Sequence, residues 1–138
     1  PTKSSAASDV YKRQLYKKYG LGTTIWSPLA SGALTGKYLD GIPEGSRATL
    51  SGYEWLKKSM VESDRGQERM GRVTKLAPIA EKLNISMSKL AIAWCLLNKN
   101  VSTVILGASK LEQLKENLES TEVIPLIDEN IQKELLSI

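Results

Sequence analysis

The sequence contains no histidine and only one cysteine, and each shortage excludes a class of chemistry. Without histidine the chain can supply neither an imidazole base nor a histidine-ligated metal site, and we predict no metal. The single Cys95 forms no internal disulfide, which favours a reducing, cytoplasmic compartment. No apolar run approaches the roughly 18 to 20 residues of a membrane helix, and no signal-peptide pattern is present, so we predict no membrane insertion.

The net charge of the chain is also small, at +4. The 19 Lys and Arg residues exceed the 15 Asp and Glu residues by four, and residues 1–14 alone supply two of those four charges. The remainder is therefore nearly balanced, and a sequence pI of about 9.2 is weak support for nucleic-acid binding. We predict no nucleic-acid partner.

The first fourteen residues, PTKSSAASDVYKRQ, differ in character from the rest. They are polar, rich in small residues and without clear periodicity, so they resemble a translated adapter or a native disordered lead-in. We therefore divide the 138 residues into a lead-in, 1–14, and an organised domain, 15–138.

Periodicity and turn residues predict α/β alternation in the organised part. A helix should end at Gly20, and Pro78 should kink or restart the helix that contains it. Ser86 should cap one helix, and Ser109 with Glu112 should form a capping box on another. The predicted strands are Thr23–Ser27 and a buried 101–107, the predicted loop is 40–52, and the predicted helices include 53–63 and 67–83. Since two strands cannot form a sheet buried on both faces, the chain reads as a piece of a larger α/β domain.

Two motifs lie where parallel strands end, which is where α/β folds bind ligands. The first is TTIWSPLASGALTGKY, residues 23–38, and the second is Gly107-Ala108-Ser109 before a helix. A helix N-terminus and nearby cations suit phosphate, and Trp26 offers a flat apolar face to an aromatic ring. The residues alone thus predict a nucleotide site.

Each of these residues also has a plainer interpretation. Ser109 could simply cap its helix, Trp26 could belong to the core, and Lys37 with Arg47 could be solvated charges. Trp94 and Cys95 lie in an apolar helix, and we predict that both are core residues.

From Leu15 to its end the chain resembles the C-terminal part of an aldo-keto reductase, in particular the β-subunits of voltage-gated potassium channels. The resemblance rests on the order and spacing of WSPLASGALTGKY, GIPEGSR, GYEWLKK, LAIAWCLLN and VILGASKLEQLKENL. It implies the C-terminal portion of a TIM (β/α)8 barrel, namely its last two strands and their helices.

The resemblance also implies NADPH as cofactor and assigns residues to it. Trp26 would lie against nicotinamide, residues 27–31 would follow the pyrophosphate, and Lys37 would neutralise charge. Arg47, Gly107 and Ser109 would hold the 2′-phosphate. The full set of implied cofactor-binding residues is Trp26, Ser27, Pro28, Leu29, Ala30, Ser31, Lys37, Arg47, Gly107, Ser109, Gln113, Glu116 and Asn117, the last three at the adenine end.

The family's catalytic tetrad of Tyr, Lys, Asp and a His or Asn comes from the first half of the barrel, so no catalytic residue is assigned here. The parent protein is expected to reduce aldehydes or ketones by hydride transfer, and this chain alone to be inactive. The alternative is a regulatory channel β-subunit, a homotetramer bound to the cytoplasmic domain of the channel α-subunit, with the same cofactor-binding barrel as a sensor.

Overall fold

The computed structural model of the chain describes residues 14–138, except for the side chain of Val61. The predicted lead-in therefore lies outside the described residues, apart from Gln14. Residues 14–19 are helical, and Gly20 ends this helix as predicted, with a φ of +61° that is left-handed and costs glycine little.

Two short parallel strands form the sheet: β1, Thr23–Trp26, and β2, Val101–Ile105. Ile25 pairs with Val104 and Trp26 with Ile105. At the start of β1, the backbone N–H and the hydroxyl of Thr23 both donate to the carbonyl oxygen of Asn100, at 2.7 and 2.9 Å. The two predicted strands are thus confirmed, but β1 stops one residue early because Ser27 has a φ of +53°.

Helices fill most of the remaining chain. The α-helices are α1, Glu54–Lys57; α2, Asp64–Lys82; α3, Met87–Leu96; α4, Leu111–Leu118; and α5, Glu129–Leu136. A π-helical turn, Lys58–Glu62, continues α1, and 3-10 turns lie at Ala30–Thr35, Arg47–Thr49, Glu119–Thr121 and Ile124–Leu126. None of the helices within residues 14–138 is long and apolar enough to span a lipid bilayer.

Side-chain oxygens cap three of these helices. Ser63 accepts from the N–H of Gly66 at α2, and Asp128 accepts from that of Ile131 at α5. The predicted cap of α3 is confirmed, since the Ser86 hydroxyl oxygen accepts from the N–H of Lys89 at 3.2 Å.

Pro78 does not restart the helix, so that part of the prediction is wrong. One helix, α2, runs from Asp64 to Lys82 with Pro78 inside it. A proline removes one helical hydrogen bond and crowds the preceding turn. Buried residues on both sides of it, Val73 before and Ile79 with Ala80 after, hold the two halves of α2 against the rest of the protein.

Two apolar clusters stabilise the fold. The helical cluster joins α2, α3, α5 and the segment before α5, and contains Ile79, Ala80, Leu90, Ala93, Val123, Ile127 and Ile131. The loop cluster lies under the long connection from β1 to α2 and contains Ala33, Tyr38, Ala48, Leu56 and Met60. The predicted loop 40–52 is therefore anchored through Ala48.

Only one face of the sheet is covered. Ile25 and Val104 lie side by side and half-buried, and α3 packs against β2. On the other face Trp26 is 81% exposed and its neighbour Ile105 is 56% exposed. The prediction of a buried second strand is therefore wrong for this structure, because the described residues supply a helix layer on one side only.

Replacing either of two glycines of α2 by alanine should change the free energy of unfolding, but in opposite directions. Gly71→Ala should raise the free energy of unfolding by about 0.5 to 1 kcal/mol, because a Cβ there meets open space and alanine favours a helix. Gly66→Ala should lower it by about 1 to 3 kcal/mol, because its Cβ would lie 2.7 Å from backbone atoms of Ser59 and Met60. Urea unfolding followed by far-ultraviolet circular dichroism measures both, and shifts of the same sign would contradict this packing.

Candidate functional site

The pairing of the strands brings the two sequence motifs to one edge of the sheet. Trp26 and Ile105, the last residues of β1 and β2, are direct neighbours in register. Ser27 therefore leaves the sheet beside Leu106, and the segments 27–31 and 107–109 begin at the same edge. The two motifs, far apart in sequence, lie where parallel sheets bind ligands.

The segment after β1 has an unusual backbone. Ser27, Ala30 and Ser31 have φ values of 53°, 47° and 58°, and Gly32 follows at 97°. Left-handed conformations of non-glycine residues cost about 1 to 3 kcal/mol each and concentrate at functional sites. Short bonds close the turn: the Ala30 N–H donates to the Ser27 carbonyl oxygen at 2.9 Å and the Gly32 N–H to that of Leu29 at 2.8 Å.

Buried neighbours hold this strained segment in place. Pro28 is buried at its start and Ala33 at its end, while Leu29 and Ser31 are half-buried and Ser27 and Ala30 are exposed. The predicted pyrophosphate-binding residues 27–31 thus form a rigid turn whose outer side faces solvent.

Trp26 is available for stacking. Its 81% exposure rules out the core interpretation for this structure. An indole held at the end of a strand, on the bare face of the sheet, presents an apolar ring that a flat ligand can cover.

Lys37 folds back over the strained turn. The ammonium nitrogen of Lys37 lies so close to Gly32 that a Cβ there would be 2.7 Å from it, and the φ of +97° at Gly32 is one that side chains rarely adopt. The same nitrogen is 4.9 Å from the centre of the Tyr38 ring. The ammonium group is therefore beside the turn, as the predicted role in charge neutralisation requires.

Arg47 begins the 3-10 turn Arg47–Thr49, whose Ala48 is buried in the loop cluster. The guanidinium carbon of Arg47 lies 5.9 Å from the centre of the Tyr53 ring. The ion pairs found within residues 14–138 include neither Arg47 nor Lys37. Their charges are therefore not neutralised by a carboxylate in the described part of the chain.

Ser109 does not cap α4, and the predicted capping box with Glu112 is wrong. The helix begins at Leu111 with Lys110 at its cap position, so Ser109 lies one residue too early. Instead the N–H and the hydroxyl of Ser109 donate to the side-chain oxygen of Gln113, at 3.0 and 3.2 Å. The structure thus joins two predicted cofactor residues beside the exposed Gly107.

Helix α4 is turned in an unexpected direction. Asn117, expected to face a ligand, is buried with 4% exposure, and Glu116 is half-buried. Leu111, Leu114 and Leu118 share the exposed side instead. A helix with leucines outside and an amide inside lacks the apolar partner that its sequence pattern requires.

An apolar cavity of about 410 Å³ lies behind the strained turn. It is lined by Pro28, Leu34, Leu76, Met87, Leu90, Ala91, Trp94, Cys95, Leu135 and Leu136. The core prediction for Trp94 and Cys95 is therefore wrong for this structure: Trp94 is 36% exposed, Cys95 is half-buried, and both line an open space.

Sequence reasoning missed Tyr53, the aromatic neighbour of Arg47. Its only sequence signal is its place in GYEWLKK, six residues after Arg47, where it reads as the start of a helix. Helix and strand periodicities do not apply between a loop residue and a residue at the start of a helix. The contact between Arg47 and Tyr53 therefore becomes visible only in the three-dimensional structure.

A sequence profile described as the aldo/keto reductase family matches residues 5–134. The domain of that family is a TIM barrel, its members are oxidoreductases, and they typically use nicotinamide cofactors. The α/β alternation and the parallel pairing of β1 with β2 agree with this match.

Cys95 provides a test of the cavity. Burial raises the pKa of its thiol, so less of it is thiolate at a given pH than in the unfolded chain. Alkylation by iodoacetamide should therefore be slower in the folded chain, with its pH midpoint displaced upward. The urea-unfolded chain is the control, and Cys95 is the only cysteine that can react. A midpoint at or below that of the unfolded chain would contradict the position of the thiol in the cavity.

Proposed function

The chain belongs to the aldo/keto reductase family, and on that premise we propose that it is the C-terminal portion of an NADPH-dependent reductase of aldehydes and ketones. The observation that carries the proposal is that both sequence motifs lie at the same edge of the sheet. Parallel pairing puts an exposed tryptophan, a strained turn and Gly107–Ser109 at the carboxyl ends of β1 and β2. In a TIM barrel that end holds the active site.

The bare surfaces support the assignment to part of a barrel. A barrel of eight strands leaves no open strand edges, whereas within residues 14–138 β1 and β2 each pair with one strand. The exposed sheet face with Trp26 and Ile105 would then face the barrel interior. The leucine side of α4 would be covered by the remaining strands and helices.

The charges and N–H groups suit a dinucleotide with three phosphates. Lys37 beside the strained turn suits the pyrophosphate, and the guanidinium of Arg47 suits the additional 2′-phosphate. Trp26 would stack on nicotinamide. These groups fit NADPH better than NADH, because Arg47 has no carboxylate partner among the described residues and NADH offers it no phosphate.

Ser109 would change partner on binding. Its N–H and hydroxyl now donate to Gln113, and a phosphate oxygen is a stronger acceptor than a neutral amide oxygen. A bound 2′-phosphate would therefore take these two donors and release Gln113 toward the adenine. Gly107 leaves room for the approach, and Glu116 and Asn117 would reach the adenine once α4 is seated on a complete barrel.

The chemistry divides between this chain and the rest of the protein. When bound, NADPH supplies hydride to the carbonyl carbon of the substrate. The residues of this chain bind and orient the cofactor. The proton would come from a tyrosine that the family resemblance assigns to the first half of the barrel, so the chain by itself holds no catalytic residue.

The narrower assignment, a potassium channel β-subunit, stays a prediction from the sequence motifs. So do its partners, a channel α-subunit and three further copies of the protein, and a cytoplasmic location. The amino-terminal sequence of the parent protein separates the two functions, because a complete catalytic tetrad favours turnover and an inactivation segment favours a channel role.

Arg47→Ala should change cofactor preference in the complete barrel. Charge-assisted hydrogen bonds contribute roughly 1.5 to 3 kcal/mol, so NADPH binding should weaken by about one to two orders of magnitude. NADH binding should hardly change. Fluorescence titrations with each cofactor measure both dissociation constants.

Two further variants act as controls for that titration. Ser109→Ala should weaken NADPH in the same direction but less, since its N–H remains. Trp26→Ala should weaken both cofactors alike, since both contain nicotinamide. Equal losses for NADPH and NADH in Arg47→Ala would show that this residue does not read the 2′-phosphate.

The isolated 138-residue chain should not oxidise NADPH with 4-nitrobenzaldehyde, because the tuned proton donor lies outside it. Loss of the absorbance of reduced nicotinamide is the measurement, with the complete protein as positive control. Turnover that exceeds the buffer blank and survives repurification would place the chemistry within these residues and refute this division of labour.

A further inference from the structure

The contact between Arg47 and Tyr53 is the starting point. The guanidinium carbon lies 5.9 Å from the ring centre, within the range of a cation–π interaction. No hydrogen bond or ion pair in the described part of the chain fixes the Arg47 side chain. The ring of Tyr53 is thus the group that restrains this cation.

The backbone around Tyr53 is well anchored. The Tyr53 N–H donates to the Leu50 carbonyl oxygen at 3.0 Å, and its own carbonyl accepts from the N–H of Leu56 at 2.8 Å. The Glu54 carboxylate accepts from the Gly52 N–H at 3.0 Å. The buried Leu56 then fixes α1 in the loop cluster. The backbone that carries the ring therefore has a defined position.

The turn that carries Arg47 is anchored in the same cluster. Ala48, the next residue, is buried with Leu56, so both partners of the contact are attached to one packed unit. The backbone positions of Arg47 and Tyr53 are therefore held relative to each other by this shared anchor.

An aromatic partner differs from a carboxylate in what it leaves available. A carboxylate would neutralise the guanidinium and occupy its donors, whereas a ring face attracts the cation without taking its N–H groups. The contact thus orders a long side chain while keeping its charge and its donors for an anion. Preorganisation of this kind raises affinity by reducing the freedom lost on binding.

We propose that Tyr53 is a positioning residue for the cofactor: it holds the Arg47 guanidinium ready for the 2′-phosphate and thereby contributes to the preference for NADPH over NADH. The inference rests on the proposed function, since it takes Arg47 as the reader of that phosphate.

The test measures dissociation constants of NADPH and NADH in the complete protein that contains this chain. Tyr53→Leu should weaken NADPH about two- to fivefold, the range expected for an exposed cation–π contact, and leave NADH unchanged. Tyr53→Phe keeps the ring and should behave like the wild type. Unchanged NADH binding also reports that the variants remain folded.

Trp55 supplies a matched control and Arg47 a double-mutant cycle. Trp55 is exposed and lies 6.4 Å from the Tyr53 ring, so Trp55→Leu should leave the ratio of the two constants unchanged. In an Arg47→Ala background, Tyr53→Leu should have no further effect on NADPH, because the side chain it positions is gone.

Four results would overturn the inference. A loss with Tyr53→Leu that is equal for NADPH and NADH, or one that persists without Arg47, would mean that Tyr53 acts on the whole site or on the cofactor itself. A ratio that changes in Arg47→Ala but not in Tyr53→Leu would refute the positioning role and leave the proposed function standing. An unchanged ratio in Arg47→Ala would remove the proposed reading of the 2′-phosphate and the role of Tyr53 with it.

Discussion

The parallel pairing of β1 with β2 is the constraint on which the rest of the structure depends. A parallel pair needs a long crossover, and here that crossover contains the strained turn, the loop cluster and helices α1 to α3. Because both strands run the same way, both motifs leave the sheet at the same edge. In an antiparallel pair, Trp26 and Gly107 would lie at opposite ends of the sheet. They could not then contact one ligand together.

Helices pack against only one face of this strand pair in the described part of the chain, and the other face is open to a ligand. The helical cluster buries the apolar residues of α2, α3 and α5, while the other face of the sheet and the leucines of α4 remain exposed. An apolar face that stays exposed is a surface on which a ligand or another protein layer can pack. The exposed Trp26 lies on that face, which explains why the aromatic ring is free for stacking.

Sequence reasoning succeeded where the signal is local and failed where it depends on distant partners. Gly20, Ser86 and the β-branched residues of both strands act through their own backbone or the next turn, and all three predictions hold. Pro78 did not break α2, because buried neighbours in the helical cluster outweigh a local preference. The predictions for the candidate cofactor site divide in the same way. The two motifs and the cations Lys37 and Arg47 could be named from the sequence. The contact of Tyr53 with Arg47 and the burial of Asn117 depend on tertiary packing.

The strained turn packs against the core on its inner side and is exposed to solvent on its outer side. Gly32 has a φ of +97° that favours glycine, yet Ser27, Ala30 and Ser31 also have left-handed backbones without being glycine. Such conformations persist only where neighbours over-determine them, and Pro28 and Ala33 are buried on either side. The turn therefore draws its rigidity from the core while its outer side stays open. Lys37 and Arg47 add positive charge from the same connection, and both are held by aromatic rings that leave this charge intact. This edge of the sheet therefore combines an exposed aromatic ring with positive charges that no carboxylate in the described part of the chain neutralises, and that combination suits an anionic ligand.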